Sequence, residues 1–383
     1  MAKIVHMTSV ATTFHVRIFA RQCASLAASG NEVVLLCTHD RDETVQGVTI
    51  KTVGKPRGRF SRMTRTVSKL FASALREKAD LYVVHDPELT PVAWLLQRLG
   101  KPVVLDMHEN TPKQILAKAW IPGYLRRAFS LSLAVLQRAL LPRIPVVFAE
   151  SSYAKHYPYV EQTATVLNMP HPGNTSTKFE HPTVGYIGGV STLRGNSTTL
   201  RALALLEERG VAVNYECIGP VALGHREELA AAQERLTRSQ VNAPGYMRSD
   251  EGWQRIARCH IGIAVLSNTP NYYESFPGKM FEYMSFGLPV IVSDFPLYRG
   301  VVDRVGCGFC VDPEDPHALA DAIEQMLANR EEAAEMGRRG KRAVEEQYNW
   351  PREYQRLVAF YNGVLQAHEK PNCATKTTVS LAA

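Results

Sequence analysis

The sequence lacks any uninterrupted apolar run of about 18 residues, the length that a membrane-spanning helix requires. The nearest candidate, residues 128–148, is interrupted by Arg138, Pro142 and Arg143. The first seven residues, Met-Ala-Lys-Ile-Val-His-Met, are typical of a first β-strand and not of a signal peptide. We therefore expect neither a transmembrane segment nor a leader.

Cysteine is also scarce, with 7 residues in a chain of 383. An odd and scattered set does not form a disulfide framework, which favours a reducing, cytoplasmic location. Cys307 and Cys310 form the one Cys-x-x-Cys pair, without a second pair or a histidine at ligand spacing. A zinc or redox centre is therefore not expected there.

Acidic residues are outnumbered, because 44 Lys and Arg against 37 Asp and Glu give a net charge of +7. Residues 55–65 contain five basic side chains and no acid. Residues 113–143 interleave basic with aromatic side chains, namely Lys113, Lys118, Arg126, Arg127, Arg138 and Arg143 with Trp120, Tyr124 and Phe129. No nucleic-acid-binding motif accompanies these charges. They predict contact with an anionic membrane surface, and a solvated helix face is the alternative.

Apolar strands alternate with amphipathic helices in two successive series, which predicts two doubly wound parallel sheets. A segment rich in Pro, Gly, Asn, Ser and Thr separates the series and is typical of a linker. The length also favours two domains. The predicted segments are an N-terminal domain (1–168), a linker (169–182), a C-terminal domain (183–349), an amphipathic helix (350–370) and a disordered polar tail (371–383).

The most informative segment runs from Glu274 to Glu282. Pro277 suits the first turn of a helix because it has no N–H and a preset φ, and Gly287 suits the position after the last turn. The backbone N–H groups of residues 278–280 would then face an anion, helped by the helix dipole. A carboxylate at either end can accept hydrogen bonds from sugar or ribose hydroxyls. The pattern predicts a sugar-nucleotide site, and a plain helix with two solvated glutamates is the alternative.

Glycines follow strands of the second series at the points where ligands bind to open α/β sheets. Gly188 and Gly189 come directly after the predicted strand 183–187, and Arg194 precedes the next helix. A glycine-rich turn lets backbone N–H groups approach a phosphate closely. Residues 245–247 (Gly-Tyr-Met) follow another strand. Ordinary turn glycines are the alternative at both places.

Two clusters of histidine and acid follow adjacent strands of the first series. Residues 85–88 (His-Asp-Pro-Glu) follow one strand, and residues 106–110 (Asp-Met-His-Glu-Asn) follow the next. Both are expected at the ligand-binding edge of the sheet, although a histidine at a strand end can also be structural. The His-x-Asn spacing offers no further metal ligands, so no metal site is expected.

The segment Glu-Ser-Phe-Pro-Gly-Lys-Met-Phe-Glu-Tyr-Met-Ser-Phe-Gly-Leu-Pro-Val-Ile, which begins at Glu274, resembles the Glu-x7-Glu signature of glycosyltransferase family 4. The two histidine clusters resemble stretches of its bacterial polysaccharide (group 1) members. The resemblance implies the GT-B fold, in which two Rossmann-like α/β domains face a cleft and the last helix crosses back to the first domain. The C-terminal domain would bind the nucleotide sugar and the N-terminal domain the acceptor.

The resemblance also implies roles for individual residues. The catalytic residues would be Glu274, which contacts the donor sugar, and His108. The nucleotide sugar would be bound by Gly188, Gly189, Arg194, Gly245, Tyr246, Met247, Gly278, Lys279, Met280 and Glu282. The acceptor side would be lined by Thr13, His15, His85 and Glu109.

The chain departs from the family pattern at two places. Gly189 stands where the family usually has the first of two basic residues for the diphosphate, and Arg194 matches the second. Lys279 is a candidate to compensate. The loop of residues 8–15 lacks the glycines that many members have after the first strand.

The resemblance implies a retaining enzyme that needs neither a metal nor another cofactor. We expect it to transfer a hexose-type sugar from a nucleoside diphosphate, more readily UDP than GDP. The acceptor would be a lipid-linked or growing surface glycan, such as lipopolysaccharide or exopolysaccharide, at the inner face of the plasma membrane. Two alternatives stay open: a GT-B sugar-nucleotide 2-epimerase, which needs no acceptor, and a non-catalytic GT-B partner subunit, which Gly189 would suit.

Overall fold

A computed structural model of the protein describes residues 1–117 and 121–369. The chain divides into two compact units, of which the first is Met1–Leu167 together with the residues from Glu353 onward and the second is Asn168–Arg352. Lys118, Trp120 and the predicted tail at 371–383 lie outside the described residues.

The first unit is a helix-flanked sheet whose central strands are apolar on both faces, as parallel strands covered on two sides must be. Its strands are β1 (Lys3–Met7), β2 (Glu32–Cys37), β3 (Glu43–Val45), β4 (Val48–Thr52), β5 (Leu81–Val84), β6 (Val103–Met107), β7 (Val146–Phe148) and β8 (Thr163–Thr165). Its α-helices up to residue 140 are α1 (Ala24–Ala28), α2 (Arg59–Ser61), α3 (Val67–Glu77), α4 (Thr90–Arg98), α5 (Thr111–Ala117) and α6 (Gly123–Leu140). Two π-helical segments, Val16–Cys23 and Arg62–Thr66, lead into α1 and α3, and 3₁₀ turns span Pro87–Leu89 and Ser151–His156.

The sheet of the first unit reverses its strand order beside β1. Within the described residues the order is β3-β4-β2-β1-β5-β6-β7-β8, parallel except for the β3–β4 pair. The register places Met7 beside Val84, so that Thr8 and His85 emerge together at the carboxyl edge. Ligands bind at such a switch point in open α/β sheets.

The second unit has the strand order of a Rossmann fold. Its strands are β9 (Thr183–Ile187), β10 (Asn214–Ile218), β11 (Val241–Gly245), β12 (Ile261–Ala264), β13 (Val290–Ser293) and β14 (Gly308–Val311). They form an all-parallel sheet in the order β11-β10-β9-β12-β13-β14, counted over the described part of the chain. Its helices are α7 (Asn196–Glu208), α8 (His225–Arg235), α9 (Ser249–Ile256), α10 (Pro270–Tyr273), α11 (Gly278–Ser285), α12 (Pro296–Val305), α13 (Pro316–Ala328) and α14 (Arg330–Glu346), with a 3₁₀ turn at Thr192–Arg194.

The last helix, α15 (Trp350–Glu369), begins in the second unit and belongs to the first from Glu353 onward. The predicted crossing helix is therefore confirmed. Residues 169–182, predicted as a linker, pack on the second unit, where the Lys341 amine donates to the Gly173 carbonyl at 2.5 Å and the Trp350 N–H donates to Pro170 at 2.7 Å.

None of the helices in residues 1–117 and 121–369 combines the length and the apolarity of a membrane span.

Candidate active site

Helix α11 is fixed on the sheet of the second unit by a buried tyrosine. The Tyr283 hydroxyl donates to the Ile263 carbonyl of β12 at 3.1 Å. Gly262 makes room for the ring, because a Cβ there would lie 2.4 Å from it. Gly287 ends the helix with φ of 70°, as predicted. The anchored helix sets the direction of its other side chains, including Lys279 and Glu282.

The Lys279 side chain reaches the glycine loop after β9. A Cβ built on Gly188 would lie 2.6 Å from the lysine Cε and 3.0 Å from Nζ, and Gly188 has φ of 139°. The Lys279 Nζ also lies 5.5 Å from the centroid of the Tyr186 ring. The Lys279 amine therefore lies at the loop that contains Gly188 and Gly189.

A second cation accompanies Lys279. The Arg194 guanidinium lies over the Tyr272 ring, 5.3 Å from its centroid. Burial and then repulsion from Arg194 lower the pKa of Lys279 to about 7. Across the described residues, no carboxylate forms an ion pair with either side chain. An anion bound here would relieve that repulsion.

The predicted nucleotide loops share one edge of the sheet. A Cβ on Gly219 would lie 2.0 Å from the Gly188 carbonyl oxygen, and the Gly219 N–H donates to the Gly245 carbonyl at 2.8 Å. These contacts join the carboxyl ends of β9, β10 and β11. Tyr246 is 78% exposed and Met247 is partly buried. This predicted nucleotide-binding stretch follows β11, two strands away from the β9 loop that Lys279 reaches.

The two signature glutamates flank the start of α11. Glu274 follows α10, and both Glu274 and Glu282 are partly buried. The Met280 N–H donates to the Pro277 carbonyl at 2.9 Å. It is therefore satisfied by the residue that precedes the helix, and of the three predicted anion donors the N–H groups of Gly278 and Lys279 are the ones that could meet a phosphate.

The first unit gathers a buried cluster around Asp106 at its switch point. The carboxylate Oδ2 lies 2.8 Å from Nε2 of His108 and 3.1 Å from Nδ1 of His85. Arg17 donates through Nη2 to Oδ1 at 2.6 Å and through Nε to Oδ2 at 3.1 Å, and Gln22 donates to Oδ2 at 2.7 Å. Burial alone would raise the pKa of the Asp106 carboxyl, but Arg17 and His108 hold it well below its usual value. Asp106 is therefore a buried carboxylate, surrounded by donors.

The predicted acceptor residues differ in how far their side chains are exposed to solvent. Thr13 and His85 are buried, so neither presents its side chain to solvent; the Thr13 hydroxyl instead lies 3.1 Å from Nδ1 of His39. His15 is partly buried and stacks on His108 with centroids 5.9 Å apart, and Glu109 is exposed. His15 and Glu109 stay predictions for acceptor contact.

The loop after β1, which lacks glycine, is held by carboxylates. Asp86 Oδ2 accepts from the Thr8 hydroxyl at 2.7 Å and from the N–H groups of Ser9 and Val10 at 2.5 and 3.1 Å. The Ser9 hydroxyl also donates to Glu88 at 2.7 Å. The acids of the predicted cluster at 85–88 thus shape this loop, a role that the sequence pattern did not reveal.

His85, Asp106 and His108 place one potential ligand atom each within 4.8 Å of one another. Asp106 is already paired with the buried Arg17, and a divalent cation would add positive charge beside that guanidinium. Hydrogen bonding therefore accounts for the cluster better than metal ligation does.

An Asp-x-Asp spacing, which can also hold a cation, occurs at Asp40 and Asp42. Asp40 pairs with Lys55 at 2.5 Å, and Asp42 accepts from the Thr52 N–H at 2.7 Å. Both carboxylates are therefore engaged within the first unit.

Two family models match the chain. The Glycosyl transferase 4-like domain matches residues 15–157, and Glycosyl transferases group 1 matches residues 174–343. The phosphatidyl-myo-inositol mannosyltransferase of Mycobacterium leprae is 25% identical over 316 residues, which cover 77% of this chain and 76% of that protein. The D-inositol 3-phosphate glycosyltransferase of Corynebacterium urealyticum is 27% identical over 189 residues, covering 47% of this chain and 43% of that protein. The chain thus spans less than half the length of that relative.

Solved structures share the fold over nearly the whole chain. Sucrose-phosphate synthase from Thermosynechococcus elongatus has a TM-score of 0.74 at 18% identity, covering 96% of this chain and all 100% of that one. Anabaena HepE in complex with UDP-glucose has a TM-score of 0.70 at 16% identity, covering 95% of this chain and 100% of that one. The predicted GT-B fold is confirmed.

Proposed function

The chain belongs to the group 1 glycosyltransferases, and we propose that it transfers a hexose from a UDP-sugar with retention of configuration. We propose a lipid-linked or growing surface glycan as the acceptor. The UDP-glucose in the HepE structure supports the donor. The phosphatidyl-inositol acceptor named for the mycobacterial relative supports a lipid acceptor.

One observation carries the donor site. Lys279 lies against Gly188 at the carboxyl edge of a Rossmann sheet, and Arg194 is close enough to repel its amine. Within the described residues neither side chain has a carboxylate partner. The N-terminus of α11 lies directly before Lys279. Two cations and a helix dipole suit a diphosphate. They would also stabilise the negative charge that the departing nucleotide acquires in the transition state.

The remaining roles follow from the positions of the side chains. Glu274 would orient the donor sugar, Glu282 would bind the ribose diol, and His108 would contact a substrate hydroxyl in the first unit. Because Lys279 and Arg194 supply the positive charge that a metal ion supplies elsewhere, we propose that transfer needs neither a metal nor another cofactor.

A thermal-shift panel with EDTA present tests the donor site. A ligand that binds the native state alone raises stability by RT ln(1 + [L]/Kd). UDP and UDP-glucose are expected to raise the midpoint, and GDP-mannose to raise it less. A failure of every nucleotide to shift the midpoint would refute the donor site, and a shift that EDTA removes would refute metal independence.

Product analysis separates the proposal from its alternatives. Release of UDP that depends on an added acceptor is expected for a transferase. Conversion of a UDP-sugar to its epimer without an acceptor would establish the epimerase. Donor binding without either reaction would favour the partner subunit.

An exposed apolar face on α6 supports contact with a membrane. The large apolar side chains Tyr124, Leu131 and Val135 recur at helical spacing and are 81%, 66% and 68% exposed. Phe129 and Leu136 widen this face at 50% and 43% exposure. The exposed bases Arg127, Arg138 and Arg143 accompany it. Apolar side chains beside positive charge suit the headgroup region of an anionic bilayer, at the cytoplasmic face that we propose as the location.

The basic segment at residues 55–65 has less free positive charge to offer an anionic membrane. Lys55 pairs with Asp40 at 2.5 Å and Arg62 with Glu88 at 2.9 Å, so part of its charge is neutralised. We therefore assign the membrane contact chiefly to α6.

Co-sedimentation with vesicles tests this contact. Binding to phosphatidylglycerol-containing vesicles is expected, with weakening by salt and loss in Leu131→Glu. Leu223→Glu is the matched control, because Leu223 is fully exposed in the second unit. Equal binding to neutral vesicles, equal effects of the two variants, or a dimer that Leu131→Glu dissociates would contradict a membrane role for this face.

A further inference from the structure

Four imidazole rings form a row from the interior of the first unit to its surface. His6 and His85 are buried and stack with centroids 5.1 Å apart. His85 and His108 lie 5.3 Å apart, and His15 stacks on His108. The His108 side chain retains 21% exposure. Because His6 and His85 are buried, His108 is the ring among these three that a substrate can reach.

The inner end of the row determines where the ring protons lie. Nε2 of His6 is buried and has no partner among the described residues. An orphaned buried N–H is rarer in proteins than an unused lone pair, so the proton of His6 belongs on Nδ1 and is donated to Nε2 of His85 across 2.9 Å. His85 must then carry its own proton on Nδ1, which lies 3.1 Å from Asp106. Burial lowers the pKa of both histidines, which keeps the two rings neutral.

Asp106 determines the protonation of the outer ring. Its ionised Oδ2 lies 2.8 Å from Nε2 of His108, and a lone pair on that nitrogen would repel the carboxylate. Nε2 therefore carries the proton. In the neutral form of this ring Nδ1 then has the lone pair, and no hydrogen bond to it occurs in the described part of the chain.

We propose that Asp106, supported by His85 and His6, holds His108 as the Nε2–H tautomer, so that Nδ1 accepts a hydrogen bond from a hydroxyl of a substrate. The tautomer follows from the geometry of the first unit alone. The substrate contact rests on the proposed function. Asp106, His85 and His6 are positioning residues, in the way that a buried carboxylate orients the imidazole of a catalytic triad.

Nitrogen NMR of the full-length protein labelled with ¹⁵N in the histidine rings tests the tautomer directly. The His108 signals, assigned by their loss in His108→Gln, are expected to show a bare Nδ1 and a protonated Nε2 at pH 7.5. In Asp106→Asn the two tautomers are expected to mix. A protonated Nδ1 in the wild type, a tautomer unchanged in a folded Asp106→Asn, or signals that move on adding EDTA would each overturn the proposal. The wild-type spectrum decides which tautomer His108 adopts even if Asp106→Asn does not fold.

Two replacements of His108 test the substrate contact. An asparagine amide lies near the position of the ring Nδ1, whereas a glutamine amide lies near Nε2 and can still donate to Asp106. If Nδ1 meets the substrate, His108→Asn should retain a kcat about 10-fold above that of His108→Gln, the worth of about one hydrogen bond. Equal kcat values would overturn the contact. If the wild type transfers no sugar, the proposed function fails instead, and the NMR result still decides the tautomer.

Discussion

Replacing Lys279 by methionine should remove the amine beside the glycine loop while keeping the length and the apolar stem of the side chain. A hydrogen bond to a charged group contributes about 1.5–3 kcal/mol. UDP-glucose should therefore bind about 10- to 100-fold more weakly to Lys279→Met. Isothermal titration calorimetry measures the change directly.

The same titration should show that the protein takes up a proton when UDP-glucose binds. An amine with a pKa of about 7 is about 90% neutral at pH 8, and a bound diphosphate favours its charged form. The wild type should therefore take up about 0.9 proton per UDP-glucose at pH 8 and about 0.1 at pH 6. The diphosphate of UDP-glucose is a diester with no proton that titrates in this range. Buffers of different ionisation enthalpy report the uptake.

The charged form of Lys279 favours UDP-glucose binding but lowers the stability of the ligand-free folded state. The pKa of Lys279 lies below its ordinary value of 10.5, so charging this amine costs the ligand-free folded state stability. The cost is complete below pH 7 and disappears as the pH rises towards 10.5. Lys279→Met should thus melt at a higher temperature than the wild type at pH 6, and the gain should shrink at pH 9.

Lys178→Met is the matched control. Lys178 is a partly buried lysine of the same unit, its pKa is lowered to about 8 by burial, and its amine donates to the Ala257 carbonyl. It should leave UDP-glucose affinity and proton uptake unchanged. A wild type without proton uptake at pH 8, or a Lys279→Met variant with full affinity, would refute the reasoning.

Three further changes test other parts of the structure. Glu282→Gln should weaken UDP binding about 10-fold by replacing a charged hydrogen-bond acceptor with a neutral one; thermal shift measures it, and an undiminished UDP shift would exclude the ribose contact. Gly188→Ala should displace Lys279 and cost about 1–3 kcal/mol of folding free energy for the strained φ; urea unfolding measures this, and an unchanged midpoint would contradict the close approach. Because burial lowers the pKa of His6 and His85, the unfolded chain binds protons that the folded one does not, so stability should fall as the pH drops below about 6.5. Replacing His6 by phenylalanine should flatten this slope in pH-dependent unfolding, and a slope as steep as that of the wild type would count against the buried, neutral ring.

Several elements missed by the sequence reasoning are short or irregular. The strands at Glu43–Val45 and Thr163–Thr165 have three residues each, too few for a period to show. The helix at Pro296–Val305 begins at a proline, a residue that breaks helix interiors but is favourable in a first turn. By contrast, β9 spans the predicted residues 183–187 and α15 begins at the predicted residue 350, because their apolar patterns are long and are bounded by polar residues or breakers.

The sequence by itself determined the two α/β units, the helix between the signature glutamates and the glycines at the strand ends. These features depend on local chemistry: apolar periodicity, proline and glycine conformations, and residues adjacent in the chain. Tertiary structure decided which distant groups meet. Arg17 reaches Asp106 across 89 residues, and Lys279 lies against Gly188 because Tyr283 fixes its helix on β12. It also decided that His85 is buried whereas His108 is partly exposed. No pattern in one segment encodes such contacts, since they arise when parallel strands bring their carboxyl ends to a common edge.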